Sequence, residues 1–270
     1  MAALTLDHLS GGRVILGLGV SGPQVVEGWY GKPFGKPLSR TREYVNIIRQ
    51  VFNREGPVEN NGDHYPLPYT GEGSWGLGKP LKSITHPLRK DLPIFLGAEG
   101  PKNVAMTAEI ADGWLPLYYS PYRQEVYSDQ IKDAKPGFEI MQGITVIIND
   151  NVEEALVPLK HSLALYIGGM GAKSRNFHNE LVKRMGFEEA AVSVGGDSMR
   201  ASSSSRRASK ASKASWSRKM GIAVSAAERN RWCLGDIAGL AAAKTIAETL
   251  LFTGPHEVAP PSTYTAAAAA

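Results

Sequence analysis

The sequence contains one cysteine, Cys233, among its 270 residues. A single thiol cannot build a disulfide framework or a multi-thiolate zinc site, and it is typical of a reducing compartment. The chain also has no apolar run of about 18 residues, which is the length that a membrane-spanning helix needs. Its first residues lack the basic and apolar regions of a secretory signal peptide. We therefore expect a cytoplasmic protein with no membrane partner.

Several catalytic motifs are missing as well. The six histidines form no pair at i and i+4, so there is no HExxH zinc site, and neither GxSxG nor GxxxxGK[ST] occurs. Neighbouring acidic residues such as Glu153 and Glu154 are consecutive on a predicted helix, so their side chains diverge. We expect no bound metal ion.

The net charge of +4 comes from one segment. Met199 to Met220 contains seven basic residues and no acidic one. The remaining chain is slightly acidic, and we expect no nucleic-acid partner. A basic tail that binds DNA is kept as an alternative, which salt-dependent DNA binding lost on deletion of this segment would favour.

Short apolar runs alternate with helical segments along the first two thirds of the chain. Strands are predicted at 13–19, 93–98, 114–118 and 138–149, and helices at 39–53, 101–111, 123–134, 152–166 and 176–185. Ser39 is the predicted N-cap of the first of these helices. The turn-rich residues 60–85 predict a long insertion with a short strand or hairpin. This alternation predicts an α/β fold with a parallel sheet, either a barrel of eight units or an open doubly wound sheet.

Four loops could carry chemistry. Leu16 to Gly22 (LGLGVSG) would let a ligand approach the backbone, although an ordinary strand exit also fits. The loop from Gly97 to Asn103 precedes a helix, whose first N–H groups attract anions. The aromatic residues Trp114, Tyr118 and Tyr119 could line a pocket or simply pack. The glycines at 168–171 are followed by Asn176 and His178, and His178 is either a proton donor or a solvated histidine.

Three segments carry a resemblance. LDHLSGGRVILGLGVSG (6–22), PIFLGAEGPKNVAMTAEIADGWLP (93–116) and residues 138–191 resemble the bacterial luciferase-like superfamily, and more narrowly its F420-dependent oxidoreductases. The resemblance implies a TIM-type (β/α)₈ barrel that is incomplete, with the first three βα units absent and the cofactor at the carboxyl ends of the strands. The expected domains are a barrel domain at 1–191 with about strands four to seven, a disordered basic low-complexity segment at 192–235, the last helix and strand at 236–255 and a tail at 256–270.

The resemblance also implies which residues form the site. Those expected to bind the cofactor are Gly19, Val20, Ser21, Ala98, Glu99, Gly100, Lys102, Asn103 and Val104. Helix-terminal amides of the last four would hold the phosphate. Trp114, Tyr118 and His178 are expected in the substrate pocket. The catalytic residues are expected in the absent N-terminal part and have no number in this sequence.

The implied function is hydride transfer between coenzyme F420, a deazaflavin, and a small organic substrate such as a carbonyl, enone or alcohol. One alternative is an FMN-dependent luciferase-like monooxygenase that consumes molecular oxygen, and another is an inactive truncated fragment. Ser21, Gly22 and Pro23 stand where sugar-phosphate dehydrogenases of the family carry a glutamate, so sugar-phosphate oxidation is not expected. A partial barrel leaves strand edges unpaired, so we expect poor solubility or a homodimer.

Overall fold

A computed structural model describes residues 1–169 and 176–197. The chain divides into two units along the sequence. The first consists of Met1–Leu115 with Gln130–Glu139, and the second of Pro116–Asp129 with the chain from Ile140 onward. The predicted last helix and strand at 236–255, the tail at 256–270, Cys233 and most of the low-complexity segment lie outside the described residues.

The first unit alternates strands and helices. Its elements are α1 Ala2–Ser10, β1 Leu16–Gly19, α2 Pro23–Tyr30, α3 Pro37–Asn53, β2 Ile94–Gly97, α4 Pro101–Ile110 and β3 Gly113–Leu115. Two further elements, α5 Ser128–Ile131 and β4 Glu139–Ile140, cross the unit boundaries along the sequence. The sheet order is β1-β2-β3-β4, and both β1–β2 and β2–β3 pair in parallel. The predicted parallel α/β arrangement is therefore confirmed.

The strands are shorter than the sequence predicts. β3 stops at Leu115 because Pro116 has no N–H with which to continue a ladder. The strand predicted at 138–149 is wrong beyond Ile140, where β4 ends. The apolar residues after it, such as Ile144 and Val146, are more than 40% exposed, so their β propensity is not supported by the burial that stabilises a strand.

The helices differ from the predictions in three places. α3 begins at Pro37 with Lys36 as its N-cap, so the prediction that Ser39 caps it is wrong; Pro is well suited to the first helical position. The helix α2 was not predicted, since it is short and contains Gly28. The helix predicted at 123–134 is instead a 3₁₀ turn at Pro121–Val126 followed by the single turn of α5.

The core of the first unit lies between the sheet and two helices. Ile94 and Leu96 of β2 are 1% and 2% exposed and pack against Val45 of α3 and Met106 of α4. The alternate residues of β2 face the other side of the sheet, as the two-residue period of a strand requires. Burying each such aliphatic side chain contributes about 1.5–3 kcal/mol, so this layer holds β1 and β2 on α3 and α4.

A buried ion pair attaches α1 to the rest of the unit. Asp7 is 0% exposed, and its oxygens accept hydrogen bonds from Arg89 Nη2 at 2.5 Å and Nε at 3.2 Å. Arg89 also donates to the Val14 carbonyl at 2.6 Å. The hydrogen bonds from Arg89 hold the pKa of Asp7 below its usual 3.8 despite burial.

The second unit is helical in its described part. It contains α6 Val152–Ala164, a π-helical turn at Leu165–Gly169, α7 Phe177–Arg184 and α8 Glu188–Asp197. Their apolar residues form a cluster around Leu163, Ile167, Val182 and Ala191. The predicted helices at 152–166 and 176–185 are confirmed within two residues. α8 continues to Asp197, so the disordered segment predicted from Val192 does not begin there.

Among the described residues, no helix has both the length and the apolar character needed to cross a membrane.

Candidate active site

The first unit has an open cleft of about 180 Å³ at the carboxyl ends of β1 and β2. Parallel strands present their following loops at one edge of a sheet, which is where α/β folds place ligands. The cleft is lined by Leu18, Gly19, Val20, Arg40, Thr41, Tyr44, Tyr65, Leu96, Gly97 and Asn103. Of the residues expected to bind the cofactor, the structure brings Gly19, Val20 and Asn103 together here.

Two glycines line the cleft with backbone that carries no side chain. Gly19 and Gly97 are paired across β1 and β2. A Cβ at Gly19 would meet no atom of the described residues within 4 Å, and one at Gly97 would make only ordinary contacts, the nearest at 3.6 Å from the Leu18 carbonyl oxygen. The absent side chains therefore leave space against the backbone that a ligand can occupy.

Arg40 is the positively charged residue among the described residues that line the cleft. Its Nη1 donates to the Phe34 carbonyl at 3.0 Å, and its guanidinium carbon lies 5.8 Å from the centroid of the Phe34 ring. Within residues 1–169 and 176–197, Arg40 makes no ion pair with a carboxylate, unlike its neighbour Arg42, which pairs with Glu109. A half-buried guanidinium with no carboxylate partner is suited to binding an anion such as a phosphate.

The cleft has an aromatic side formed by Tyr44 and Tyr65. Their ring centroids are 5.6 Å apart with a 44° angle between the rings, and the side chains remain 45% and 37% exposed. The sequence patterns predict no role in a site for Arg40, Thr41, Tyr44 or Tyr65. These residues are far from the glycine-rich loops in the sequence, so local patterns could not show that they lie near the cleft.

The loop before α4 differs from expectation in its hydrogen bonds. Gly100 is the N-cap of α4, and its carbonyl accepts from the N–H groups of Asn103 and Val104, each at 2.9 Å. The expectation that these two amides are available to a phosphate is wrong, because the N-cap carbonyl already engages them. The side chain of Val104 is 1% exposed and belongs to the core, whereas Lys102 is exposed.

Ser21, Glu99 and Ala98 lie around these loops but do not line the cleft. Ser21 is exposed and has φ of +58°, a left-handed conformation that is uncommon outside glycine and turns the chain from β1 towards α2. Glu99 is half-buried, and Ala98 is 3% exposed. Their place in cofactor binding stays a prediction.

Trp114 lies beneath the loop that follows β2. It is 0% exposed, and its indole Nε1 donates to the Ala98 carbonyl at 2.8 Å. The indole is thus part of the core of the first unit. Its contact with the substrate stays a prediction, but its hydrogen bond fixes the backbone from which Glu99 to Asn103 extend.

The second unit brings Tyr118 and His178 together. Their ring centroids are 5.9 Å apart with an edge-to-face angle of 85°, and Tyr166 packs edge-to-face against both, at 6.3 Å and 5.4 Å. Asn176 caps α7 by accepting from the N–H groups of His178 and Asn179, and its amide donates to the Tyr166 and Ile167 carbonyls. These contacts hold the imidazole against two phenol rings. The predicted loop at 168–171 lies partly outside the described residues.

No group of three His, Cys, Asp or Glu side chains in the described part of the chain is arranged to hold a metal ion.

The chain is similar in sequence to a known protein family. The sequence model of the family described as luciferase-like monooxygenase matches residues 1–227. The chain belongs to the luciferase-like family. The resemblance inferred from the glycine-rich strand exit and the loop after Gly97 is thereby confirmed.

Two curated relatives are similar in sequence to this chain. It is 59% identical over 203 residues to the Mycobacterium tuberculosis protein named "Putative coenzyme F420-dependent oxidoreductase Rv3520c", covering 72% of this chain and 58% of that protein. It is 35% identical over 127 residues to the 5,10-methylenetetrahydromethanopterin reductase of Archaeoglobus fulgidus, covering 47% of this chain and 34% of that enzyme. The chain therefore spans less than two thirds of the length of these curated relatives.

A solved structure confirms the fold. The coenzyme F420 dependent tetrahydromethanopterin reductase of Methanopyrus kandleri matches with a TM-score of 0.52 and 22% identity, over 72% of this chain and 60% of that one. The predicted α/β fold of TIM-barrel type is confirmed by this match. The described sheet has four strands.

Proposed function

We propose that this luciferase-like protein binds coenzyme F420 and transfers a hydride between it and a small organic substrate. The observation that carries the proposal is the cleft at the carboxyl ends of β1 and β2, where bare glycine backbone lies beside the unpaired Arg40 in the described part of the chain. The name of the Mycobacterium tuberculosis relative, which is 59% identical, supports the choice of F420.

The residues of the cleft fit an anionic cofactor. Arg40 would bind a phosphate group, with Thr41 and Asn103 as neutral hydrogen-bonding groups beside it. Gly19 and Gly97 would let the cofactor approach the strand ends without meeting a Cβ. Ser21, Lys102 and the loop Ala98–Gly100 would border this site. Coenzyme F420, when bound, supplies the hydride chemistry, and the protein supplies orientation and electrostatics.

Tyr118 and His178 are proposed to contact the substrate. Their phenol and imidazole groups can each donate a proton to an oxygen that gains charge when a carbonyl is reduced. The edge-to-face packing with Tyr166 holds the imidazole in one orientation.

An FMN-dependent monooxygenase is the second candidate, because the family model is described as a luciferase-like monooxygenase. A fluorescence titration of the full chain with F420 and, separately, with FMN distinguishes the two, together with a measurement of oxygen consumption. We expect saturable binding of F420 and no consumption of oxygen. Binding of FMN alone with oxygen consumption would move the assignment to the monooxygenase, and binding of neither cofactor by folded protein would support the inactive fragment.

A pair of arginine variants makes this test specific to the cleft. Arg40→Gln removes the charge that we assign to the phosphate, whereas Arg42→Gln removes a charge that pairs with Glu109 outside the cleft lining. Hydrogen bonds to charged groups contribute about 1.5–3 kcal/mol, so Arg40→Gln should weaken F420 binding by about 10- to 100-fold. Arg42→Gln should leave it within about twofold.

Two coarser properties are proposed with the function. The cytoplasm is the proposed compartment, supported by the single cysteine of the sequence. A homodimer is proposed on the ground that β1 forms one edge of the described sheet, and light scattering of the purified chain tests it.

A further inference from the structure

One face of α3 carries three polar side chains that contact the same later segment. Ser39, Glu43 and Gln50 are separated by four and seven residues, which places them within about 40° of each other around a helix of 3.6 residues per turn. The partner is the hairpin at residues 58–67, in which Asn60 and Leu67 exchange backbone hydrogen bonds at 3.0 Å and 2.8 Å. This confirms the hairpin predicted within the long insertion.

The hairpin runs back along α3 from its carboxyl end to its amino end. At the carboxyl end, the amide of Gln50 exchanges hydrogen bonds with the backbone of Glu59 at 2.9 Å and 3.1 Å. At the amino end, Ser39 Oγ lies 2.8 Å from His64 Nε2. The chain therefore runs away from the cleft along α3, and the hairpin brings it back to the cleft.

Glu43 makes the central contact. Its Oε2 accepts hydrogen bonds from the N–H groups of His64 and Tyr65, both at 3.0 Å, and from Asn60 Nδ2 at 3.1 Å. Burial raises the pKa of Glu43, but these three donors outweigh it and leave the pKa below its usual 4.5. The group is thus a carboxylate at neutral pH, which is the form that accepts from all three donors.

Gly62 shows how closely the hairpin encloses that carboxylate. A Cβ at Gly62 would lie 2.1 Å from the Cδ of Glu43, so any other residue here would displace either the Glu43 carboxylate from its donors or the hairpin from α3. The geometry therefore depends on both a carboxylate at 43 and a glycine at 62.

The consequence is the position of Tyr65. Its backbone N–H is bound by Glu43, and its ring meets Tyr44, the residue after Glu43, as part of the cleft wall. We propose that Tyr65 contacts the bound cofactor as the aromatic wall of the cleft and that Glu43 is its positioning residue. The proposal rests on the proposed function, since it takes F420 as the ligand of the cleft.

The test is a double-mutant cycle on F420 affinity in the full chain. Tyr65→Ala removes the ring from a partly exposed position, and Glu43→Gln replaces the triple acceptor by an amide. Each should raise the Kd for F420 about tenfold. If Glu43 acts through Tyr65, the double variant should be no weaker than either single variant.

Two further variants separate positioning from general stability. Gly62→Ala should raise the Kd as Glu43→Gln does, because it displaces the same hairpin without changing its charge. Gln50→Ala removes a hairpin contact at the other end of α3 and should leave the Kd within about twofold. Equal weakening by Gln50→Ala would show that any loosening of the hairpin lowers affinity and would overturn the specific role of Glu43.

A second measurement does not depend on F420. In protein with isotope-labelled tyrosine, nuclear Overhauser contacts between the rings of Tyr44 and Tyr65 should be present in wild type and Gln50→Ala and lost in Glu43→Gln. Their survival in Glu43→Gln would overturn the positioning role. If wild type binds F420 and Tyr65→Ala binds it equally tightly, the contact is wrong while the proposed function stands. If wild type binds no F420, the proposed function and the contact of Tyr65 with it both fail, and the ring contacts alone decide the role of Glu43.

Discussion

Replacing Trp114 with phenylalanine tests the link between the core and the loop after β2. The substitution removes the Nε1–H that donates to the Ala98 carbonyl at 2.8 Å, at a place where Trp114 is 0% and Ala98 3% exposed. An unsatisfied buried acceptor costs about 1–3 kcal/mol. The smaller ring adds a cavity cost of about 1 kcal/mol. We therefore expect the free energy of unfolding to fall by about 2–4 kcal/mol.

The same change should weaken cofactor binding, because the Ala98 carbonyl belongs to the loop that leads to Asn103 in the cleft. Urea unfolding gives the stability, and fluorescence titration gives the Kd for F420. The matched control is Phe52→Leu, which trims a buried side chain in the cluster of Leu4 and Leu92 and is not part of the cleft lining. The control should lose stability by about 1–2 kcal/mol with an unchanged Kd, whereas Trp114→Phe should raise the Kd about tenfold.

Two results would refute this reasoning. If Trp114→Phe unfolds at the same urea concentration as wild type, the indole hydrogen bond contributes nothing to stability. If both variants bind F420 as tightly as wild type, the loop is positioned by other contacts and Trp114 is a core residue only.

Three other predictions concern the first unit. Asp7→Asn should lower the free energy of unfolding by about 3 kcal/mol, the low end for breaking a buried ion pair, because Arg89 keeps 28% exposure and can reach water. Folding lowers the pKa of Asp7. Its contribution to stability is therefore complete above the usual pKa of 3.8 and is lost as the pH falls through the pKa of the folded state. Acid unfolding followed by circular dichroism should consequently depend less steeply on pH in the variant. Gly113→Ala should lose about 1–3 kcal/mol, because its Cβ would lie 2.6 Å from the Phe95 ring, whereas Gly19→Ala should keep wild-type stability and weaken F420 binding.

A different result would contradict each of these three predictions. An unchanged acid transition in Asp7→Asn would mean that the ion pair does not control acid stability. A Gly113→Ala variant as stable as wild type would show that Phe95 can move aside, and a Gly19→Ala variant with wild-type affinity would place the cofactor away from the strand end.

Local patterns in the sequence predicted most of the scaffold. The apolar runs around Gly17 and Phe95, the Pro at the start of α4 and the spacing of apolar residues in α3 all predict the elements that are present, because each depends on neighbours within a turn or a strand. The same patterns failed beyond Ile140, where Ile144 and Val146 are more than 40% exposed. Propensity alone cannot supply the surface against which a strand packs.

The candidate site divides in the same way. Gly19 and Asn103 could be predicted, since glycine-rich strand exits and helix starts have local signatures. Arg40 and Tyr65 could not, because they lie 21 and 46 residues after Gly19 in the sequence and reach the cleft only through α3 and the hairpin that follows it.

The amino-acid sequence alone determined the family, the alternation of strands and helices and the glycine-lined strand ends, since these are properties of short segments. The tertiary structure decided which side chains surround those glycines. It placed Trp114 under the loop after β2, left Arg40 without a carboxylate partner in the described residues and brought Tyr65 back to the cleft through Glu43. Each of these depends on contacts between residues distant in the chain, which packing establishes and local pattern does not encode.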